Sequence, residues 1–399
     1  VGDSRPEDPH AVVLEMLNRA HTLPPWLLAT WVERYSHRIG ATSVRIYLND
    51  YEQRALMPLT VSGEAPDAVR PVPVDGTPAG RAFAHTEQVE ALTPGDGRLW
   101  TPMIDGADRL GVVELGFPEV DEDTRELARR FTDVVTVLLI SKGGHTDVYF
   151  RARRNRAMTL PAEMQWHLLP PLTVVDPRVA LTGVVEPSYE VGGDAFDYAI
   201  NHGTAHLAIF DAMGHGLSAS VMSAVAVGAY RHARRAGVPV EKMYSLIDAE
   251  FSREFGAERF VTAQLADLDL ATGCLRLVNA GHPAPLLVRG SRVVDRLSGP
   301  ATLPIGLGGT EPDATVWDLQ PGDMVLLYTD GVVEARRHGD EFGEERFVDL
   351  VEQEVRTGLP LPEVLRRINL AALDWAGSEL RDDATMLLVE WRSPDLPPY

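Results

Sequence analysis

The sequence predicts an α+β chain of two structured blocks joined by a helical connector, the second block being a β-sandwich with helices on its outer faces. Three observations predict it. Residues 11–142 read as helix, strands, helix, a small α+β unit. Residues 172–391 hold many short alternating segments and two pairs of helical stretches, the pattern of packed sheets flanked by helices. Residues 143–171 between them are helical in pattern but interrupted by prolines. The outermost residues, 1–10 and 392–399, are polar or proline-rich and are expected to be tails, the first of them mobile.

Composition narrows the function classes. A length of 399 residues suits two or three domains at roughly 150 residues each. Basic residues number 37 and acidic ones 58, a net charge of −21. Nucleic-acid backbones and anionic membranes attract positive surface, so neither is expected as a partner. Hydrophobic residues at 45 % and charged residues at 24 % argue against global disorder. Cys274 is the sole cysteine, which excludes an intrachain disulfide and a cysteine-rich zinc site. The most apolar run, Val134 to Ile140, falls far short of the ~20 residues that span a bilayer. No signal peptide is visible and a cytoplasmic location is expected, with Val1 in place of Met suggesting a trimmed chain. Only Lys142 and Lys242 are lysines, an arginine bias that fits GC-rich codons.

The elements follow in order. Ala11 to Gly40 is helical, interrupted near Pro24-Pro25. Ser43 to Leu48 alternates and is rich in β-formers. After a variable stretch, Leu99 to Ile104 and Arg109 to Phe117 are strands around an Asp105-Gly106 turn. Asp121 to Ile140 is an amphipathic helix with an acidic start, ended by Gly143-Gly144. In the connector, Thr146 or Asp147 caps a helix bearing Arg151, Arg153, Arg154 and Arg156, expected as a solvated face. Thr159-Leu160-Pro161 starts a second helix that continues to Leu169 and stops at Pro170-Pro171. Strands follow at Val179–Val185, Ala195–Ile200 and Thr204–Phe210, then helices at Leu217–Ala236 and Val240–Phe255. Phe260–Leu270 and Cys274–Asn279 form a hairpin around Ala271-Thr272-Gly273. Ala314–Leu319 and Asp323–Tyr328 are strands joined by Gln320-Pro321-Gly322. Helices near 344–356 and 361–376 precede a last strand, Ala384–Trp391.

Four acidic sites in the second block each sit where a strand meets a turn. Gly192-Gly193-Asp194 precedes a strand, Asp211 ends one, Asp330-Gly331 follows one, and Asp382-Asp383 precedes the last. A strand end holds a carboxylate on a rigid frame, and neighbouring glycines admit close approach. Carboxylates gathered from several strand ends suit a hard divalent ion, Mg²⁺ or Mn²⁺ rather than zinc. Each site also has a plain structural reading. Asp330-Gly331 is a common hairpin turn, Asp211 can cap the helix starting near Leu217, and Asp382-Asp383 can be an exposed loop.

Two resemblances sharpen the reading. DGTPAGRAFAHTEQV (Asp75 to Val89) and RLWTPMIDGADRLGVVELGF (Arg98 to Phe117) resemble a GAF domain, a small sensor fold, over most of residues 11–142. The cyclic-nucleotide signature of that family is not visible, and His85, a candidate haem ligand, reads more simply as an ordinary residue. EPSYEVGGDAFDY (Glu186 to Tyr198), DAMGHG (Asp211 to Gly216), NAGHPAPLL (Asn279 to Leu287), LPIGL (Leu303 to Leu307), LLYTDGVVEA (Leu326 to Ala335) and RDDATMLLV (Arg381 to Val389) resemble the SpoIIE/RsbU-type phosphatases. These are a bacterial branch of the PP2C-like (PPM) metal-dependent serine/threonine phosphatases. MQWHLLPP (Met164 to Pro171) resembles the family's linker into its catalytic domain.

The phosphatase resemblance implies an αββα sandwich over residues 172–391 with a two-ion Mn²⁺ or Mg²⁺ centre at one edge. It implies metal ligation by Asp194, Asp211, the Ala212 carbonyl, Asp330 and one of Asp382 and Asp383, with Asp382 favoured and Asp383 left open. Asp211 and Asp330 are the implied catalytic pair. Glu190 and Asp197 are expected to flank the site through water, and Asn279, Gly281 and His282 to shape its wall. No arginine matches the phosphate-binding arginine of eukaryotic members. The implied reaction is hydrolysis of phosphoserine or phosphothreonine, on a STAS-type anti-anti-sigma protein, under control of the N-terminal block. A homodimer and a small-molecule or protein signal at that block are also expected. Two rivals remain at this point. Gly192-Gly193-Asp194-Ala195-Phe196 echoes the Gly-Gly-Asp-Glu-Phe signature of diguanylate cyclases, and an inactive metal-binding docking module would carry the same ligands.

Overall fold

A computed structural model describes residues 8–61, 69–190, 192–256, 258–300, 302–337, 340–377 and 382–392. Most of the two expected tails, residues 1–7 and 393–399, lies outside the described residues. The chain divides into two units, Val1–Ala157 and Met158–Tyr399. The stretch expected as a linker is therefore shared between them.

In the first unit, α1 (Pro9–Arg19) starts inside the expected tail. Asp8 accepts the His10 N–H at 3.1 Å, and Pro9 occupies a first-turn position that needs no donor. α2 (Leu28–Arg38), β1 (Ser43–Asn49), β2 (Ala55–Leu59), β3 (Val72–Pro73), α3 (Pro78–His85), β4 (Val89–Thr93), β5 (Asp96–Asp105), β6 (Asp108–Phe117), α4 (Glu122–Gly143) and α5 (Val148–Ala152) follow. The strands form one antiparallel sheet in the order β3-β2-β1-β6-β5-β4. Strand parity sorts its side chains. Ile46, Leu48, Val113 and Leu115 pack with α1, α2 and α4, while Tyr47, Val112 and Trp100 pack with Phe83 of α3 on the other face. His85 ends α3 and is exposed.

The arginine run is a solvated face only in part: Arg151 is exposed, whereas its neighbours are engaged. The Arg153 guanidinium donates to the Asn49 carbonyl at 2.9 Å and lies 4.4 Å from the centre of the Tyr51 ring. Asn155 reaches Asp50 at 3.3 Å, and Arg156 pairs with Glu52 at 3.2 Å. The chain after α5 is thus latched to the turn between β1 and β2.

The second unit contains α6 (Leu160–Leu168), β7 (Thr173–Asp176), β8 (Val179–Glu186), β9 (Asp194–Asn201), β10 (Thr204–Ala212), α7 (Leu217–Arg235) and α8 (Val240–Phe255). β11 (Val261–Asp269), β12 (Cys274–Ala280), β13 (Leu286–Arg289), β14 (Arg292–Arg296), β15 (Thr315–Asp318) and β16 (Met324–Tyr328) come next. β17 (Arg336–Arg337), β18 (Asp340–Glu341), α9 (Glu344–Val355), α10 (Leu361–Ala376) and β19 (Ala384–Trp391) complete it. One sheet runs β15-β12-β11-β10-β9 and the other β14-β13-β16-β19-β8-β7. The Gln320-Pro321-Gly322 turn therefore carries the chain from one sheet to the other and closes no hairpin.

Three cores define four layers. Leu181, Phe196, Leu207, Ile209, Leu277, Leu327 and Leu387 interdigitate between the sheets. Ala208, Phe210 and Ala263 face Met222, Tyr230 and Ile247 of α7 and α8. Leu326, Met386 and Leu388 face Phe347, Val351, Leu365 and Ile368 of α9 and α10. Adjacent strand residues thus serve different layers, which is why these strands read as nearly continuous apolar runs. Among the described residues no helix is long and apolar enough to cross a membrane.

Candidate metal centre

At one end of the sandwich the two sheets are stitched by polar contacts. Asp194 opens β9 and stands opposite Asp211, near the end of β10, in the antiparallel register. From the other sheet, the Thr329 hydroxyl donates to Asp194 Oδ2 at 2.7 Å and accepts the Thr385 N–H at 2.8 Å. Asp383 Oδ2 accepts the N–H groups of Gly193 at 2.6 Å and Asp194 at 3.1 Å. Ser223 of α7 donates to the Gly193 carbonyl, and Gln165 of α6 donates to the Asp194 carbonyl at 2.7 Å. Asp194 is therefore held by its side chain, its N–H and its carbonyl at once.

Two glycines permit the approach. A Cβ on Gly331 would stand 1.9 Å from the Asp383 carbonyl oxygen, so only glycine lets the turn at Asp330–Val332 close against the strand start. Asp330-Gly331 is thus a close-packing pair and no hairpin turn. A Cβ on Gly193 would lie 3.2 Å from both the Ala212 carbonyl oxygen and Asp383 Oδ2, and 3.4 Å from the Gly214 carbonyl oxygen. Three oxygens accordingly border one small space.

The carboxylates strain against one another. Burial pushes Asp194 well above the usual carboxylate range, and the charges of Asp211 and Asp383 add to the shift. Asp211 is pushed up to about 7 by burial, then by Asp330, Asp382, Asp383 and Glu334. Asp383 rises to about 6 and Asp330 also rises, each mainly through burial, with Asp382 adding to both. Asp383 Oδ1 is buried without a hydrogen-bond partner among the described residues. As the side chains stand, no three described His, Cys, Asp or Glu residues converge tightly enough to hold an ion. Buried like charges with an orphaned oxygen and an oxygen-only donor set are what a divalent cation compensates. The residues fit such an ion.

The other expected site residues divide. Asp382 is exposed and accepts the Asp383 N–H at 3.0 Å, so the pair splits into an outward and a backbone-gripping carboxylate. The capping alternative for Asp211 falls away, because Gly216 precedes α7 and no side chain caps it. Asp197 turns away from the site. Parity along β9 sends it with Ala195 toward α7, where Arg231 holds it at 2.7 Å and Arg234 at 2.8 Å. Its expected role as a water-mediated flank is replaced by an ion-pair anchor. Glu190 lies exposed in the turn before β9, its carbonyl accepting the Thr159 hydroxyl at 3.1 Å. Asn279 closes a tight loop by exchanging hydrogen bonds of 2.7 and 2.8 Å with the His282 backbone. Glu334, Thr329, Gln165 and Ser223 escaped the sequence reading. Glu334 and Thr329 lie within the quoted LLYTDGVVEA segment and Gln165 within MQWHLLPP, whereas nothing local marks Ser223.

His282 offers a test of this packing. Its ring is buried, joined to the Thr262 hydroxyl at 2.8 Å, and burial pushes its pKa from 6.5 down to about 3. The unfolded ring takes a proton near pH 6.5 and the folded ring does not, so stability falls as pH drops below 6.5. At pH 5 the loss is about 2 kcal/mol. In His282→Gln the difference in unfolding free energy between pH 8 and pH 5 should shrink by that amount. An unchanged difference would place the ring in water.

Comparison with known proteins agrees with this geometry. Residues 201–392 match the family model of stage II sporulation protein E (SpoIIE). Phosphoserine phosphatase RsbP of Bacillus subtilis (strain 168) is 27 % identical over 191 residues, 46 % of this chain and 47 % of that protein. Stage II sporulation protein E of Priestia megaterium is 25 % identical over 154 residues, 38 % of this chain and 26 % of that protein. The chain thus spans less than half the length of these curated relatives. The solved SiaA-PP2C domain of Pseudomonas aeruginosa superimposes with a TM-score of 0.50 at 24 % identity, covering 58 % of this chain and 94 % of that domain, which speaks for the fold. The motifs, the four-layer sandwich and the match over residues 201–392, a little under half of the chain, favour a PP2C-type phosphatase domain of the SpoIIE kind over the cyclase reading, and the likeness to the SiaA domain supports the fold.

Proposed function

We propose that the chain is a metal-dependent protein phosphatase that hydrolyses phosphoserine or phosphothreonine on a STAS-type anti-anti-sigma protein. The observation that carries this reading is the opposition of Asp194 and Asp211 across β9 and β10, with Asp330 and Asp382 acting on Asp211 from the other sheet. In this reading Asp194, Asp211, Asp330, Asp382 and the Ala212 carbonyl would hold two Mn²⁺ or Mg²⁺ ions. Bound there, the ions would supply a water deprotonated near neutral pH and offset charge on the phosphoryl oxygens. The chain's own part is positional. Thr329 aims Asp194, Asp383 pins the Gly193–Asp194 backbone, Ser223 steadies Gly193, and Asn279 fixes the wall loop at His282.

The first unit is read as a GAF-like sensor. An apolar stripe on its outer helices, Leu14 and Leu17 of α1 with Val137 and Ile140 of α4, is exposed and supports pairing of two copies. α6 supports a control route, since it grips the Asp194 carbonyl while its end is tied through Arg231 to Asp197.

The test uses p-nitrophenyl phosphate and added Mn²⁺. Chelator should abolish turnover and Mn²⁺ restore it; full activity of metal-stripped protein would overturn the reading. Asp382→Asn should raise the Mn²⁺ concentration for half-maximal rate at least about tenfold. Asp383→Asn keeps an oxygen for both backbone N–H groups and should stay within about threefold. The reverse order would make Asp383 the ligand.

A further inference from the structure

The first unit has a cavity of about 710 Å³ at the edge of its sheet, between β2, the approach to β3, and α5. That volume falls within the ~300–1,000 Å³ of small-molecule sites. Its floor is apolar, built by Met57, Leu59, Val69, Val148 and Ala152. Among the described residues that line it, the charged ones are all positive, namely Arg70, Arg151 and Arg154. This is the reverse of a chain with 58 acidic and 37 basic residues. Arg151, in α5, and Arg154, just beyond its end, both line the cavity. Among the described residues no hydrogen bond or ion pair engages the Arg70 or Arg151 side chain, whereas Arg81, Arg98, Arg125 and Arg130 of the same unit are each paired with a carboxylate. The opposite face of the sheet is closed by Phe83 and Trp100 against α3, so this cavity is a separate place.

We propose that the cavity binds an amphiphilic anion, an apolar body carrying one carboxylate or phosphate group. The body would lie on Met57, Leu59 and Val148, and the head group between the guanidinium forks of Arg70 and Arg151, which suit planar or tetrahedral oxyanions. An occupant bridges the β2 edge to α5, and Arg153, between Arg151 and Arg154, is the residue that latches the chain to the β1–β2 turn. Ligand binding therefore stiffens the segment that leads out of this unit. This inference stands apart from the phosphatase reading.

Titration calorimetry on the full chain tests it, with decanoate, decyl phosphate, pyrophosphate and decanol as probes. Saturable one-site binding of decanoate or decyl phosphate is expected, at least about tenfold tighter than decanol or pyrophosphate. Whichever of the two decyl anions binds more tightly identifies the head group. The double variant Arg70→Ala/Arg151→Ala alters exposed side chains and should fold, as circular dichroism would check, yet weaken that binding at least about tenfold. Met57→Trp, which fills the floor, should weaken it similarly. Undiminished binding by both variants would overturn the proposal. So would pyrophosphate binding as tightly as decyl phosphate, or the absence of saturable binding by either decyl anion.

Discussion

Asp211→Asn lowers kcat on p-nitrophenyl phosphate at saturating Mn²⁺ by at least about a hundredfold, and Asp330→Asn does the same. A hundredfold loss is about 2.7 kcal/mol of transition-state stabilisation, a reasonable cost for one carboxylate of a metal-organised site. Asp211 is the hub, because Asp330, Asp382, Asp383 and Glu334 all act on it. The same fact predicts a second readout. The folded state keeps the Asp211 proton up to about pH 7, whereas the unfolded chain releases it near 3.8, so metal-free stability falls as pH rises through that window. In chelator at pH 8 Asp211→Asn should therefore melt at a higher temperature than the parent while being far less active. Loss of activity with a lower melting temperature would indicate damage to the fold, and near-normal turnover would remove Asp211 from the site.

Deleting α6 should be the next largest effect. A chain of residues 172–399 is expected to turn over at least about tenfold more slowly than one of residues 145–399. Without α6 the Asp194 carbonyl loses Gln165, Arg231 loses the Leu168 carbonyl, and the apolar surface under Leu168 and Leu169 is uncovered. A displacement of about 1 Å at a reacting centre can cost on the order of a hundredfold in rate. Gln165→Ala in the full chain should act in the same direction on kcat with KM little changed, which is the pattern of positioning. Equal rates for the two truncated chains would leave the connector a passive tether.

Much of the fold was legible because its longer elements are strongly patterned. α4, α7, α8 and the β5–β6 and β11–β12 hairpins follow from periodicity and turn residues. β2, β3 and β4 were lost in a stretch read as variable, since they are short and two of them contain proline. β14 is an exposed edge strand with no alternation to read. At the site, the order of the acidic motifs marked Asp194, Asp211, Asp330 and the Asp382-Asp383 pair, but direction was harder. Asp197 is only three residues from Asp194, yet strand parity aims it at α7. The latch of Asn155 on Asp50 joins residues 105 apart, and no local signal announces such a contact.

The contact between the Asp194 N–H and Asp383 joins residues 189 apart, one opening β9 and the other immediately preceding β19 of the other sheet. Contacts of such sequence separation complete late in folding, after the entropy of long loops has been overcome. An ion at this seam would bind only chains whose two sheets have already closed, and would favour them by mass action, about 2.7 kcal/mol at a hundredfold excess over Kd. Supply of such an ion would then govern the lifetime of the native protein as well as its turnover, and starvation for it would feed unfolding and proteolysis.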